Sequence, residues 1–234
     1  MDAKGGPAMN QLSQAWAYLA ASSNWSGAAG FWARIAQHLG YTALAVGLAA
    51  LVAVPLGITV GHNGRGSSAV LSAAGALRAL PALGLLTWLA IALPRGATMP
   101  LVPATIVLVL LAVAPLLAGV VAGFDSVERD VIHSARAAGY SEGQILTRVE
   151  LPLAAPVIVG GLRSCVVQVI ATATVVAYIG LGGLGRYLID GLAVQDYPRM
   201  VAGAVLVTLL ALVVDLALAG VQRLVRPHGG VKTR

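Results

Sequence analysis

The chain has 234 residues, of which 58% are hydrophobic, 10% are charged and 28 are glycine. Soluble domains are about 25% charged, so most of this surface faces lipid rather than water. Disorder is excluded by the excess of hydrophobes, a disulfide scaffold by the single Cys165, and a nucleic-acid partner by the scatter of the basic residues.

Residues 1–40 are only mildly hydrophobic and carry Trp16, Tyr18, Trp25, Phe31 and Trp32. That aromatic density suits the headgroup layer and predicts an N-terminal interfacial segment of one or two helices. Lys4 is followed by no continuous apolar run, which argues against a signal peptide.

A membrane domain is expected over 41–226, because five runs approach the roughly 20 apolar residues a spanning helix needs. They are Ala43–Gly61, Ala69–Leu93, Leu101–Gly123, Leu153–Ile179 and Met200–Gln222. The third has no ionisable residue from Leu101 to Ala122, whereas the second, fourth and fifth carry Arg78, Arg163 and Asp215. A charge inside hydrocarbon needs a partner or a wet cavity. Arg78 and Asp215 lie at similar depths from the same side, which makes them a candidate pair; the alternative is that each snorkels or meets a helix terminus separately. Arg163 lies some 16 Å along a helix beyond Pro152 at 1.5 Å per residue, a depth that places it on a translocation path or a subunit interface. Gly57-x3-Gly61 and Gly119-x3-Gly123 match the small-x3-small helix-packing pattern, and Cys165 reads as an inert buried thiol.

Counting Lys and Arg by loop sets the orientation. With the N-terminus outside, the inner segments hold Arg65, Arg129, Arg136, Arg148, Arg223, Arg226, Lys232 and Arg234. The outer ones hold only Lys4, Arg34, Arg95, Arg186 and Arg199. The expectation is N-out and C-in, with a cytoplasmic tail at 227–234 and the longest charged loop, 124–152, in the cytoplasm.

That loop predicts two short amphipathic helices, one from about Ser126 to Ala138 and one from about Glu142 to Val149. Gly139 is a helix stop able to take positive φ, and Ser141 is a good N-cap. Pro152 is expected to end the second helix and tilt the chain back into the bilayer. From Phe124 to Glu150 the loop carries five acidic and three basic residues. A lipid-binding stretch would be basic, so the bent lug points to a protein partner.

At these residues the chain resembles a known family. The spacing Ala135, Gly139, nine residues, then Val149, Glu150, Leu151 and Pro152 is similar to the coupling loop of bacterial ABC importer permeases. The departure is at its start, where His133 and Ser134 stand in place of the family's Glu and first Ala. The resemblance implies that His133, Ser134, Ala135, Gly139, Tyr140, Val149, Leu151 and Pro152 contact a cytoplasmic ATPase. It extends over roughly His38 to Arg226. The segment from Arg78 through Pro81 to Leu86 resembles osmoprotectant permeases for glycine betaine, carnitine or choline, while Leu151–Arg163 and Tyr178–Gly185 are shared with methionine permeases.

The implied fold is an all-α membrane protein of about five transmembrane helices, the type I (MetI-like) importer permease, with a cytoplasmic coupling helix. The implied partners are a cytoplasmic ABC ATPase dimer, a second permease copy or a homologue, an extracytoplasmic solute-binding protein, and the lipid bilayer of the bacterial inner membrane. ATP and magnesium would sit on the ATPase; this chain is expected to carry no cofactor or metal and no catalytic residue. A Walker A loop needs a lysine after its glycines, and the only lysines are Lys4 and Lys232.

Gly180-Leu-Gly182-Gly183-Leu-Gly185 satisfies the dinucleotide spacing literally, yet it follows a span rather than a strand and so predicts no nucleotide site. It reads instead as the lip of an external gate at Gly182, Gly183 and Gly185, with Arg78, Pro81 and Arg163 as further path candidates and Asp215 as an intramembrane charge. An ion-gradient transporter would show inverted repeats and matching broken helices, and an intramembrane enzyme a nucleophile–base pair or metal ligands. Neither pattern is visible.

Overall fold

The computed structural model of the protein describes residues 7–64 and 66–225. Lys4, Arg65, Arg226, Lys232, Arg234 and the predicted tail at 227–234 lie outside the described residues. Among the described residues every regular element is helical. In chain order these are α1 (Pro7–Ala20), α2 (Phe31–Asn63), α3 (Ser67–Arg78), α4 (Ala82–Ala92), α5 (Leu101–Asp125), α6 (Arg129–Ala137), α7 (Glu142–Ile145), α8 (Leu151–Thr172), α9 (Gly185–Ala193) and α10 (Tyr197–Leu224). A wide π turn, Leu146–Glu150, joins α7 to α8, and short tight turns of helix cover Ser22–Asn24 and Val175–Ile179.

Four stretches are long and apolar enough to cross a membrane: α2, α5, the continuous run 142–179, and α10. A fifth exists if α3 and α4 count together as one broken span. The expected second span is therefore not a single helix. Arg78 is its last residue before the break, and Pro81 begins α4 from an extended conformation at φ −68°, ψ 105°. Proline has no N–H to continue the helix ladder and disfavours helical backbone at the residue before it, here Leu80. The first span's helix starts at Phe31, inside the segment expected to be interfacial.

The chain divides into two compact units. One comprises, among the described residues, 7–45, 81–108 and 168–213. Its core gathers Phe31, Leu184, Tyr187 and Leu206, with Tyr18, Trp25 and Ile35 packed on them. Phe31 meets Trp25 edge-on at 5.0 Å and Tyr187 at 5.1 Å between ring centroids. The Trp25 ring N–H donates to the Leu19 carbonyl at 2.8 Å, and the Tyr187 hydroxyl to that of Ala29 at 2.8 Å. Of the five N-terminal aromatics expected at the lipid headgroups, only Trp16 and Trp32 are exposed. The other three build this core, because buried aromatics bring large area and edge-to-face contacts.

The second unit comprises, among the described residues, 46–64, 66–80, 109–167 and 214–225. Small residues set its helix spacings. A Cβ added at Gly57 would meet the Val120 side chain at 2.7 Å, and one at Gly61 the Phe124 side chain at 2.6 Å, so α2 and α5 touch along the first Gly-x3-Gly pair. A Cβ on Gly119 would lie 2.4 Å from the Cα of Gly161, and one on Gly123 would meet Ile158 at 2.5 Å, which brings α5 against α8. Cys165 is fully buried, its thiol directed at the Ala112 carbonyl at 3.4 Å.

Candidate functional site

The charged segment between α5 and α8 takes the bent form its residues require. Glu128, extended at φ −61°, ψ 130°, precedes α6, so helix begins at Arg129 and not at Ser126. Gly139 adopts φ +84°. Its N–H donates to the Arg136 carbonyl at 3.0 Å, and that of Tyr140 to the Ala135 carbonyl at 3.2 Å. This pair of bonds is the Schellman stop, which a left-handed glycine makes possible. Ser141 then caps α7 in a reciprocal box: its hydroxyl accepts the Gln144 N–H, and the Gln144 side chain accepts the Ser141 N–H at 2.9 Å.

The second helix does not end at Pro152. The N–H of Leu151 reaches back to the Leu146 carbonyl, five residues away, so the turn over Leu146–Glu150 widens. Helix then continues through Pro152 into α8. A proline near the start of a helix loses an N–H that has little to bond, and the wide turn accommodates its ring without a break.

His133, Ser134, Gly139, Tyr140 and Pro152 are exposed, and Ala135, Val149 and Leu151 are half-buried. The segment is anchored from beneath by Ile145, fully buried, and by Val127 and Glu150. A surface on a rigid anchor is suited to meeting a partner.

Four side chains lock the segment. The Arg136 guanidinium holds Glu142 with two bonds, at 2.7 and 3.0 Å. That fork keeps the Glu142 carboxyl below its ordinary pKa and raises the guanidinium further. His62, on the last turn of α2, lies 3.6 Å from Glu142 through Nε2 and bonds Glu150 through Nδ1. Beside them lies a cavity of about 200 Å³ lined by residues including Asn63, Phe124, Arg129, His133 and Arg136. Reading the sequence missed His62, because no spacing rule connects it to acids that lie far along the chain. The only available signal was a titratable residue where an apolar run ends.

At membrane depth the expected Arg78–Asp215 pair does not form. Asp215 on α10 instead takes a two-bond fork from Arg163 on α8, at 3.0 and 2.8 Å. The third Arg163 contact is the Gln222 side-chain oxygen at 2.6 Å, and the Gln222 amide donates to the Pro156 carbonyl at 2.7 Å. Arg78 is exposed at the end of α3 and has no carboxylate partner among the described residues. Equal depth along two helices does not bring them to the same neighbour; packing order does. Either single reversal, Arg163→Asp or Asp215→Arg, is expected to reduce the yield of monodisperse protein on size-exclusion chromatography. The double variant restores it, and reversing Arg78 together with Asp215 does not.

The glycine-rich turn is docked rather than free. Gly183, at φ +88°, donates its N–H to the Gln37 side-chain oxygen at 2.9 Å. The next N–H, of Leu184, goes to Nδ1 of His38 at 3.3 Å, and the other ring nitrogen of this fully buried histidine bonds the Ile170 carbonyl at 2.8 Å. Nδ1 is thus the acceptor and Nε2 the donor. A Cβ on Gly182 would overlap Gln37 at 2.0 Å, and one on Gly185 the Thr174 carbonyl at 2.1 Å, so these glycines permit close packing. Gln37 and His38 were not evident as site residues in the sequence.

Residues 53–227 match the family model described as "Binding-protein-dependent transport system inner membrane component". The chain is 35% identical over 193 residues to the choline transport system permease protein OpuBB of Bacillus subtilis (strain 168), covering 82% of this chain and 87% of that one. It is 34% identical to the glycine betaine/carnitine/choline transport system permease protein OpuCB of the same organism, with the same coverage. It is 35% identical to the osmoprotectant import permease protein OsmW of Salmonella typhimurium, covering 82% and 90%. In structure it is similar to a chain of the inward-facing MetNI methionine ABC transporter, with a TM-score of 0.70, 20% identity, and 82% and 94% of the two chains covered. That likeness establishes the all-helical permease fold. With its apolar helices, its bent charged segment and a family match over most of its length, the chain belongs to the inner membrane components of binding-protein-dependent transport systems.

Proposed function

We propose that this protein is the translocating permease of an ATP-driven importer for quaternary ammonium osmoprotectants such as glycine betaine, carnitine or choline. The observation that carries the mechanism is the anchored lug from α6 to the π turn, which runs into a spanning helix without a flexible joint. A separate ATPase, holding ATP and magnesium, grips this lug, and its closure moves α8. Two permease copies, or this chain and a homologue, enclose the path, because five spans are too few to surround a solute alone. A binding protein delivers the cargo from outside, the N-terminus faces outward, and the C-terminus is cytoplasmic. Gly182, Gly183 and Gly185 line the outer gate, the first two held against Gln37 and His38.

The cargo class rests on the names of the relatives at 34–35% identity. The methionine alternative has behind it two shared sequence blocks and a fold likeness at 20% identity. Proteoliposomes containing the permease, its ATPase and its binding protein are the test. Labelled choline or glycine betaine is expected to accumulate with ATP inside and to continue when ionophores collapse ion gradients, while methionine does not accumulate. Gradient-dependent uptake without ATP would overturn the importer reading, and methionine uptake the cargo.

A further inference from the structure

Glu150 is 3% exposed, and a carboxylate so enclosed requires a partner. Among the described residues its side-chain partner is His62, 88 positions earlier, on the last turn of α2. The same imidazole turns its other nitrogen toward Glu142, whose carboxylate is forked by Arg136. A chain of contacts, Arg136–Glu142–His62–Glu150, therefore runs from α6 across α7 to the end of the π turn, with the end of α2 as its middle link. Asp125, Arg129 and His133 line the cavity beside it and complete the charged surroundings of the ring. The two acids bracket α7 and the π turn and repel one another unless a donor stands between them. The His62 imidazole stands there, with one ring nitrogen toward each carboxylate.

We propose that His62 is a positioning residue for coupling: it fastens the lug to α2, so that displacement of the lug is carried into a spanning helix that is not its neighbour in the chain. The backbone joins the lug to α5 before it and to α8 after it. A tie to a third helix restrains the lug from turning about the line between those two joints and passes its displacement to that helix. His62 supplies that tie through Glu150 and Glu142. This inference rests on the coupling role of the lug proposed above, and the experiment separates the two.

ATP hydrolysis and cargo uptake are measured in parallel on the reconstituted importer. With His62→Ala, the ATPase still copurifies and hydrolyses ATP, but uptake per ATP falls about tenfold, within the usual range of coupling between linked sites. His62→Lys, which places a cationic donor facing Glu150, recovers most of the loss. Should His62→Ala accumulate poorly, His62→Asn retains a donor near the Nδ1 position, loses the reach to Glu142, and is read by the same ratio. An unchanged ratio of uptake to ATP in the variant that accumulates overturns the proposal, as does failure of His62→Lys to recover it. Gly139→Pro is run beside them: if it leaves ATPase binding intact, the coupling reading of the lug fails, whatever His62 does.

Discussion

Gly139→Pro is expected to abolish copurification of the ATPase and ATP-dependent uptake while leaving the spanning helices assembled. Three conflicts meet at this position. The pyrrolidine ring locks φ near −65°, whereas the native angle is +84°. The N–H that donates to Arg136 is lost. Ala138, at φ −78°, ψ 1°, is pushed toward an extended conformation as the residue before proline. The Schellman stop cannot form, and α6 and α7 lose their fixed angle. Around Gly139 there is open space, since an added Cβ would meet nothing within 4 Å, so the damage stays local and the thermal midpoint in detergent hardly moves. Gly139→Ala is graded below proline: a left-handed L-residue costs about 1–2 kcal/mol, which predicts a partial loss of association. Wild-type ATPase binding by Gly139→Pro would sink the coupling role of this segment.

A second large effect is expected where α5 crosses α8. Gly119→Ala puts a methyl group 2.4 Å from the Gly161 Cα, against backbone that has no side chain to move aside. The helices must separate, and overpacking of this kind costs about 1–3 kcal/mol. Gly47→Ala is the control, because nothing lies within 4 Å of its added Cβ. There the substitution gains about 0.5–1 kcal/mol from the helical preference of alanine over glycine. Thermal midpoints in detergent should therefore move in opposite directions for two chemically identical changes. A rise for both would show that the α5–α8 crossing is looser than described.

The bent charged segment was largely legible because its signals are local. Positive φ at Gly139, the cap at Ser141 and the amphipathic turn before them depend on residues within a few positions of one another, and local rules apply wherever the chain goes. The spans were legible for a related reason, since hydrocarbon demands about 20 apolar residues irrespective of neighbours. Pro152 was misread because a proline acts differently at the first turn of a helix than inside one, and only the wide turn over Leu146–Glu150 shows which case applies.

Composition and apolar run lengths alone determined that this is a helical membrane protein with a charged, bent segment between two spans, and its motif spacing pointed to the permease family. The sequence was mute about which charges meet. Arg163 finds Asp215 and Gln222 across 52 and 59 positions, His62 finds Glu150 across 88, and His38 supports Leu184 across 146. Such pairings follow from which helix faces touch, and those faces are set by glycines that let backbones approach closely. Only the folded chain decides them, because hydropathy places a residue at a depth in the bilayer but does not say which way it points around its helix.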